Sequence, residues 1–594
     1  MKWFYGVYGN VTIDNKINIS EKVNSYYNRV FEFKTNNYEE EGLYYTEFLS
    51  SDSTKSEKFG DIIILGNMDL DYVPAEISNG RNDSKTDFYY VYSLYMKYGS
   101  KFVEYLYGRF AFVVIDKRCN KVVLIRDQFG LEQLFYTQIN GCFIFANNIF
   151  LLDNYYNGNE ILTDYVNKFI KYNGICNFIE TPYANVYRVD MAHLLTYYPN
   201  SKKINNKRYW NLAKIKSDKT IKFDLAKAKC REILNCSITE KIKNKESLGI
   251  MLSGGLDSTV IYSIVFNNDI ITYSAVFDKI TSCDERYFID QTLKKIPCKE
   301  SKYVISDDAG FFAGFPHSYF YTSEPHLNIL NKKLSENLFD AAQEDKRKYI
   351  LDGFLADHIL SGNIIHNLDK LKKITNYASL FKEVESYAEI VNKSIWDVIM
   401  HDLLKAKINH HFVPNIDDNI TYINQEVFNG ANKYTGKEML VQILSTLARN
   451  FGDLELAPRY GIEVLHPYVD RKFIEFLYSL PGDFIMRSGI PKYLLKESFK
   501  LEIPEEIINR VNKTQHVELT HKGIEENWGT IYESLKEGII TELRCIDFDK
   551  EKWNDLLNKF RSGEEFGDKL LIYITLEIWF DLIMEKYGSI KFIN

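Results

Sequence analysis

Ser253-Gly254-Gly255-Leu256-Asp257-Ser258 separates the apolar run Leu248-Gly249-Ile250-Met251-Leu252 from Thr259-Val260-Ile261-Tyr262-Ser263-Ile264-Val265. The pattern predicts a strand, a tight turn and a helix. Two adjacent glycines let the backbone turn sharply and bring its N–H groups against an anion. The serines add hydroxyl donors, and the helix presents its positive N-terminal end to the same point. An acid inside a phosphate-binding turn is costly unless a metal accompanies the phosphates, so Asp257 points to Mg2+ bound with a nucleotide.

No lysine follows the glycines, so the turn is not a Walker A loop. It resembles the SGGxDS pyrophosphate loop of enzymes that cleave ATP between the α and β phosphates to adenylate a carboxylate or carbonyl. A surface turn rich in small residues is the plainer reading. The loop alone does not choose among asparagine synthetases, GMP synthetases and tRNA-modifying enzymes.

The 594 residues are too many for one core and suggest two to four domains. A formal net charge of -8 argues against a general nucleic-acid binder. The 8 cysteines form no CxxC pair, which fits reduced thiols rather than a disulfide framework or a zinc site. Met1-Lys2-Trp3-Phe4-Tyr5-Gly6 has no signal-peptide core, and no run approaches the ~20 apolar residues that span a bilayer. These features predict a cytoplasmic protein without membrane or nucleic-acid partners.

Residues 1–210 hold short β-rich runs. Phe110–Asp116 and Lys121–Asp127 read as a hairpin, and Leu134–Thr137 and Cys142–Ala146 continue it around Asn140-Gly141. Asp87–Tyr107 has helical spacing. Polar Lys202–Trp210 reads as a linker. In 211–594, helical patterns from Phe223 onward alternate with short apolar strands such as Ile271–Phe277 and Tyr349–Leu351, which predicts a parallel α/β sheet followed by a helical extension.

With these motifs in order, the chain resembles the class B asparagine synthetase family over nearly its whole length. Gly108-Arg109-Phe110-Ala111-Phe112, Arg126-Asp127-Gln128-Phe129-Gly130 and Leu134-Phe135-Tyr136 resemble the glutaminase-type domain. The SGGLDS loop, Cys283-Asp284-Glu285-Arg286-Tyr287, Gly353 through Gly362 and Pro467-Tyr468-Val469-Asp470 resemble the synthetase domain. The resemblance implies an α/β protein: an N-terminal αββα sandwich of the Ntn type over 1–210, and a parallel-sheet PP-loop synthetase domain over 211–594.

It also implies roles. Ser253, Gly254, Gly255 and Ser258 would cradle the ATP phosphates, backbone groups of Leu252 and Val276 would hold the adenine, and Gly353 would lie beside the adenylate. Asp257 and Asp357 would meet Mg2+ and pyrophosphate. Lys513 would stabilise the anionic tetrahedral species as an amine attacks the acyl-adenylate. Lys492 and Lys496 follow the family's basic tail motif, with a solvated helical face as the alternative.

Three departures bear on function. A glutaminase of this kind uses an N-terminal cysteine as nucleophile, and aligning Gly6 with the family's glycine places Lys2 there. Leu65-Gly66-Asn67-Met68-Asp69-Leu70-Asp71 lacks the asparagine-glycine-glutamate stretch that holds glutamine. It looks more like β-lactam synthetases and lasso peptide cyclases. Phe354 and His358 replace acids of asparagine synthetases, and Phe354 also replaces the tyrosine of β-lactam synthetases. The expectation is an ATP-dependent ligase without glutaminase activity, most similar to a lasso peptide cyclase acting on a precursor peptide beside a leader-peptide-binding protein and a leader protease. An ammonia-dependent asparagine synthetase and a non-catalytic scaffold are the alternatives.

Overall fold

The computed structural model describes the chain except residues 1, 10–33, 41, 51–53, 73–84, 154, 172–173, 175–178, 219, 267–268, 361–450 (save 381, 384–386, 388 and 394–397), 488–489, 511–516, 545–567 (save 553–555 and 558) and 594. Its N-terminal half is two face-to-face sheets. One runs, in spatial order, Val186–Arg188, Phe135–Ile139, Cys142–Ala146, Lys2–Tyr8, Leu43–Leu49 and Lys34–Glu40. The other runs Lys203–Arg208, His193–Tyr198, Lys121–Arg126, Tyr107–Asp116, Ile62–Tyr72 and Glu57–Phe59.

Strand periodicity explains the layering. Ala111, Val113 and Ile115 meet Phe4 and Tyr45 between the sheets. Phe110, Phe112 and Val114 point the other way, onto Phe88, Val91 and Leu94 of the helix Asp87–Tyr98. Both faces are buried, so these strands read as continuous apolar runs. On the outer face of the first sheet, Trp3, Tyr5 and Val7 pack in one cluster with Tyr165, Val166 and Phe169 of the helix Thr163–Lys171. The result is the αββα arrangement of an Ntn-type domain.

Two expectations need correction. Lys203–Arg208 is no linker but an edge strand paired with His193–Tyr198; its polarity is that of a strand covered on one side only. The helix from Asp87 ends at Tyr98, where Gly99 takes φ +55°, and a 3-10 turn covers Gly99–Tyr105.

The second half is a five-stranded parallel sheet in the order Glu300–Ile305, Ile270–Val276, Leu248–Met251, Tyr349–Leu351, Glu463–Leu465. In such sheets ligands bind beyond the carboxyl ends of the strands. The halves interlock at their margins: the helix Asp568–Tyr587 contributes to the core that holds Trp3 and Tyr165, and Lys591–Ile593 pairs in parallel with Glu160–Leu162. No helix among the described residues is long and apolar enough to cross a membrane.

Candidate active site

The central strand Leu248–Met251 delivers the SGGLDS corner at its carboxyl end, and the helix Leu256–Val265 leaves from it. Gly254 has φ +67°, and a Cβ there would lie 2.9 Å from the Cβ of Phe288 and 3.0 Å from the backbone nitrogen of Ile289. The Ser253 N–H donates to Ser258 Oγ at 3.2 Å, and the two serine hydroxyls are 3.2 Å apart. Gly255, the N-cap, offers no side chain to the first turn of the helix. A turn with these donors converging is suited to an anion.

Leu252 and Val276 stand at the carboxyl ends of the two central neighbouring strands. Leu252 donates its N–H to Tyr273 O at 2.9 Å and accepts from Ser274 Oγ at 2.7 Å; Val276 O accepts from the Ser306 N–H at 2.9 Å.

A second turn, Asp352-Gly353-Phe354-Leu355, connects the strand Tyr349–Leu351 to the helix Ala356–Leu360, with Asp357 in its first turn. A Cβ on Gly353 would sit 3.2 Å from Asp257 Cβ and 3.5 Å from Ser258 N, so the two turns meet at a glycine. His358 is exposed on that short helix.

Lys492 joins the two acids. Its ammonium contacts Asp257 Oδ2 and lies 2.6 Å from Asp357 Oδ1. Lys492 is 9% exposed and left-handed at φ +55°, which rules out the solvated-face reading for this residue. Tyr468 OH donates to Asp257 O at 3.0 Å. Arg510 lies over the Phe288 ring at 3.9 Å and donates to Glu285 Oε1 at 2.7 Å and to Gly254 O at 3.4 Å. Lys496, half-buried, donates to Arg510 O at 3.3 Å; burial and the charge of Lys492 hold its ammonium below its usual pKa. Lys513 lies outside the described residues.

Sequence patterning missed His466. It is buried, with Nδ1 2.6 Å from Asp352 Oδ1 and Nε2 against Asp453 Oδ2. Its only sequence signal is its place directly before the Pro467-Tyr468-Val469-Asp470 motif.

In the N-terminal half, Lys2 begins the central strand of its sheet. Its ammonium lies 2.5 Å from Glu47 Oε1, donates to Thr54 O at 3.0 Å and sits 5.0 Å from the centre of the Phe88 ring. Both residues of the pair are buried, and burial pulls the Lys2 pKa below its usual value. Asp69 and Asp71, in the strand Ile62–Tyr72, face the second half: Asp69 meets Lys245 at 2.8 Å and Asp71 meets Lys241 at 2.9 Å. Burial pushes the Asp71 carboxyl up to about 6 even beside Lys241. A cavity of about 770 Å³ between the halves is lined by Lys2, Asn67 and Arg109 from one side and by Lys245, Asp453 and Glu463 from the other.

Residues 229–581, more than half of the chain, match the asparagine synthase family. The chain belongs to the asparagine synthase family. Residues 74–210 match the glutamine amidotransferase domain. Among similar proteins, asparagine synthetase [glutamine-hydrolyzing] 3 of Bacillus subtilis is 21% identical over 541 residues, covering 82% of this chain and 81% of its own. Asparagine synthetase [glutamine-hydrolyzing] 1 of the same organism is 22% identical over 528 residues, covering 83% and 80%. The amidase chyE of Penicillium rubens is 20% identical over 574 residues, covering 84% and 82%.

Asparagine synthases are ATP-dependent amide ligases, and the corner has the donors for that chemistry. The donor set also fits a magnesium ion. Asp257 and Asp357 are hard oxygen donors close enough to share one cation, the Lys492 ammonium. Among the described residues no cluster of three or more His, Cys, Asp or Glu forms a closed metal cage. Two carboxylates completed by phosphate oxygens and water is how Mg2+ is held in nucleotide sites. Bound there, the ion would supply charge neutralisation for the leaving pyrophosphate.

Proposed function

We propose that this asparagine synthase-family ligase joins a carboxylate to an amine carried by its own substrate, without hydrolysing glutamine, and that it closes a macrolactam in a precursor peptide as lasso peptide cyclases do. The observation that carries the reading is the buried Lys2–Glu47 ion pair at the position of the glutaminase nucleophile. A lysine held against a buried carboxylate supplies no thiolate to attack an amide. Two further features support it. Asp69 and Asp71, in the segment that lacks the glutamine-holding residues, are engaged by Lys245 and Lys241. Phe354 offers no ionisable group beside the adenylate turn.

In this reading an oxygen of the substrate carboxylate attacks the α-phosphorus of ATP and pyrophosphate leaves. The amine nitrogen then attacks the acyl carbon, AMP leaves, and the nitrogen gives up its proton as the amide forms. The chain's own contribution is position: Ser253, Gly254, Gly255 and Ser258 hold the phosphates, and Lys492 and Arg510 bring positive charge to the same corner. Ring closure joins an amine and an acyl group already on one chain, which removes much of the entropic barrier. A leader-peptide-binding protein and a leader protease would be the partners.

The test is pyrophosphate release with Mg·ATP and a candidate core peptide whose leader has been removed, so that its α-amine is free. Release with peptide, with a product one water lighter, and none with aspartate plus ammonium, supports the cyclase. Release with aspartate plus ammonium and asparagine as product overturns it in favour of ammonia-dependent asparagine synthesis. Asp257→Ala should lower release by about a hundredfold or more, since metal-assisted charge neutralisation is worth several kcal/mol. Unchanged release would remove Asp257 from the metal site.

A further inference from the structure

We propose that His466 is a positioning residue for the ligase reaction: a cationic pin that holds the Asp352-Gly353-Phe354 turn against the SGGLDS corner and ties that turn to Asp453. This rests on the family's use of ATP and stands whichever acyl substrate is used.

Geometry sets the charge. A neutral imidazole carries one N–H, and His466 presents both ring nitrogens to carboxylate oxygens, Nδ1 to Asp352 at 2.6 Å and Nε2 to Asp453. Serving both carboxylate oxygens with a ring N–H takes two donors, which only the imidazolium has. Among the described residues, Asp352 and Asp453 are the charged groups bonded to the ring, and the Phe354 ring packs on it at 4.9 Å.

The pinned turn has little slack. Asp352 Oδ1 also accepts from the Phe354 N–H at 3.2 Å, and the Asp352 N–H donates to Leu465 O at 3.2 Å. Leu355 follows at φ +72°, a conformation that costs a residue with a side chain and persists only where its surroundings enforce it. Gly353 is already in close approach to Asp257. A shift of Asp352 is therefore passed to Gly353 on one side of the site and to Asp357 on the other. At the far end of the pin, Asp453 lies in the single π-turn Gly452–Leu456 and on the wall of the cavity between the halves. Single π-turns are frequent at functional sites.

Removing the imidazolium leaves two carboxylates facing each other with no cation between them, and the turn must move to separate them. The experiment is His466→Gln in the full chain, with affinity for Mg·α,β-methylene-ATP read by calorimetry. The expected result is a loss of about tenfold or more, partly recovered when Asp453→Asn is added and one buried charge goes. Arg188→Gln breaks another buried ion pair, with Glu324, on the wall of the cavity that Asp453 also lines; it should lower stability without changing that affinity. A folded His466→Gln protein that binds the nucleotide as tightly as the wild type overturns the proposal. Should the variant not fold, histidine-selective nitrogen NMR of the wild type decides. Both His466 ring nitrogens should be protonated at pH 8, and the Nδ1 resonance should move when the nucleotide binds. A ring nitrogen without its proton at pH 8, or an Nδ1 signal indifferent to nucleotide, overturns it.

Discussion

Lys492 places one ammonium between Asp257 and Asp357, the two acids that a metal ion would otherwise bring together. A unit charge at 4 Å is worth about 4 kcal/mol at the effective dielectric of a protein site, enough to compete with a divalent ion arriving without its nucleotide. Lys492→Met should therefore bind Mn2+ alone about tenfold more tightly than the wild type, as read by electron paramagnetic resonance. Equal affinity in the two proteins would mean that the lysine does not guard the site. His466 makes a prediction of the opposite kind. Burial disfavours its charge, but Asp352 and Asp453 outweigh burial and raise its pKa from 6.5 to about 10. A base whose folded pKa is raised contributes stability that is fully present below pH 6.5 and lost as pH climbs through 10. The stability gap between wild type and His466→Gln, measured by denaturant titration, should shrink steadily over that window. A gap independent of pH would contradict the charged form. Asp257 and Gly254 were legible because strand, turn and helix are contiguous in sequence. The bridging role of Lys492 was not, because it depends on a contact across 235 residues.

The two turns differ in what they tolerate, and the difference is set by where each glycine points. At Gly254 a side chain meets positive φ and the backbone of Ile289 together. At Gly255 the nearest atom to an added Cβ is the movable Ser253 hydroxyl at 3.3 Å. Gly254→Ala should therefore lose about 1–2 kcal/mol or more from the left-handed conformation alone, and Gly255→Ala less, with melting temperatures falling in that order. Gly353→Ala should instead show its loss in nucleotide affinity, because its tightest contact would be with Asp257 Cβ, at 3.2 Å. Reversal of the order between Gly254 and Gly255 would mean that the corner is shaped by something other than backbone sterics. At this scale the sequence was readable wherever an element buries both faces, as Tyr107–Asp116 and Lys121–Arg126 do. It misled at Lys203–Arg208, whose alternation is lost because an edge strand of charged and amide residues needs little core. The strand Glu463–Leu465 was missed because three residues carry no periodicity, and it pairs only because Tyr349–Leu351 is there to receive it.

The halves meet through charge that the sequence showed only as scattered acids and bases. Lys241–Asp71, Lys245–Asp69 and the buried Arg188–Glu324 pair cross from one half to the other. Two of them use the strand Ile62–Tyr72, whose Asp69 and Asp71 are held by lysines of the other half. Lys2 forms a further buried pair, with Glu47, within the N-terminal half. Lys2→Ala leaves Glu47 fully buried without its lysine, and breaking a buried pair from one side costs about 3–5 kcal/mol, whereas replacing both members by similar neutral groups is often close to neutral. Lys2→Ala should therefore unfold at markedly lower denaturant concentration than the wild type, and Lys2→Met with Glu47→Gln should not. ATP-dependent pyrophosphate release by the folded double variant should match the wild type, since the synthetase corner draws on neither residue. Lys2→Cys supplies a thiol but not the glutamine contacts, because Asp69 and Asp71 remain bound to Lys245 and Lys241. It should release no glutamate from glutamine. Glutamate release by Lys2→Cys would show that the amidotransferase half still holds glutamine and lacks only its nucleophile.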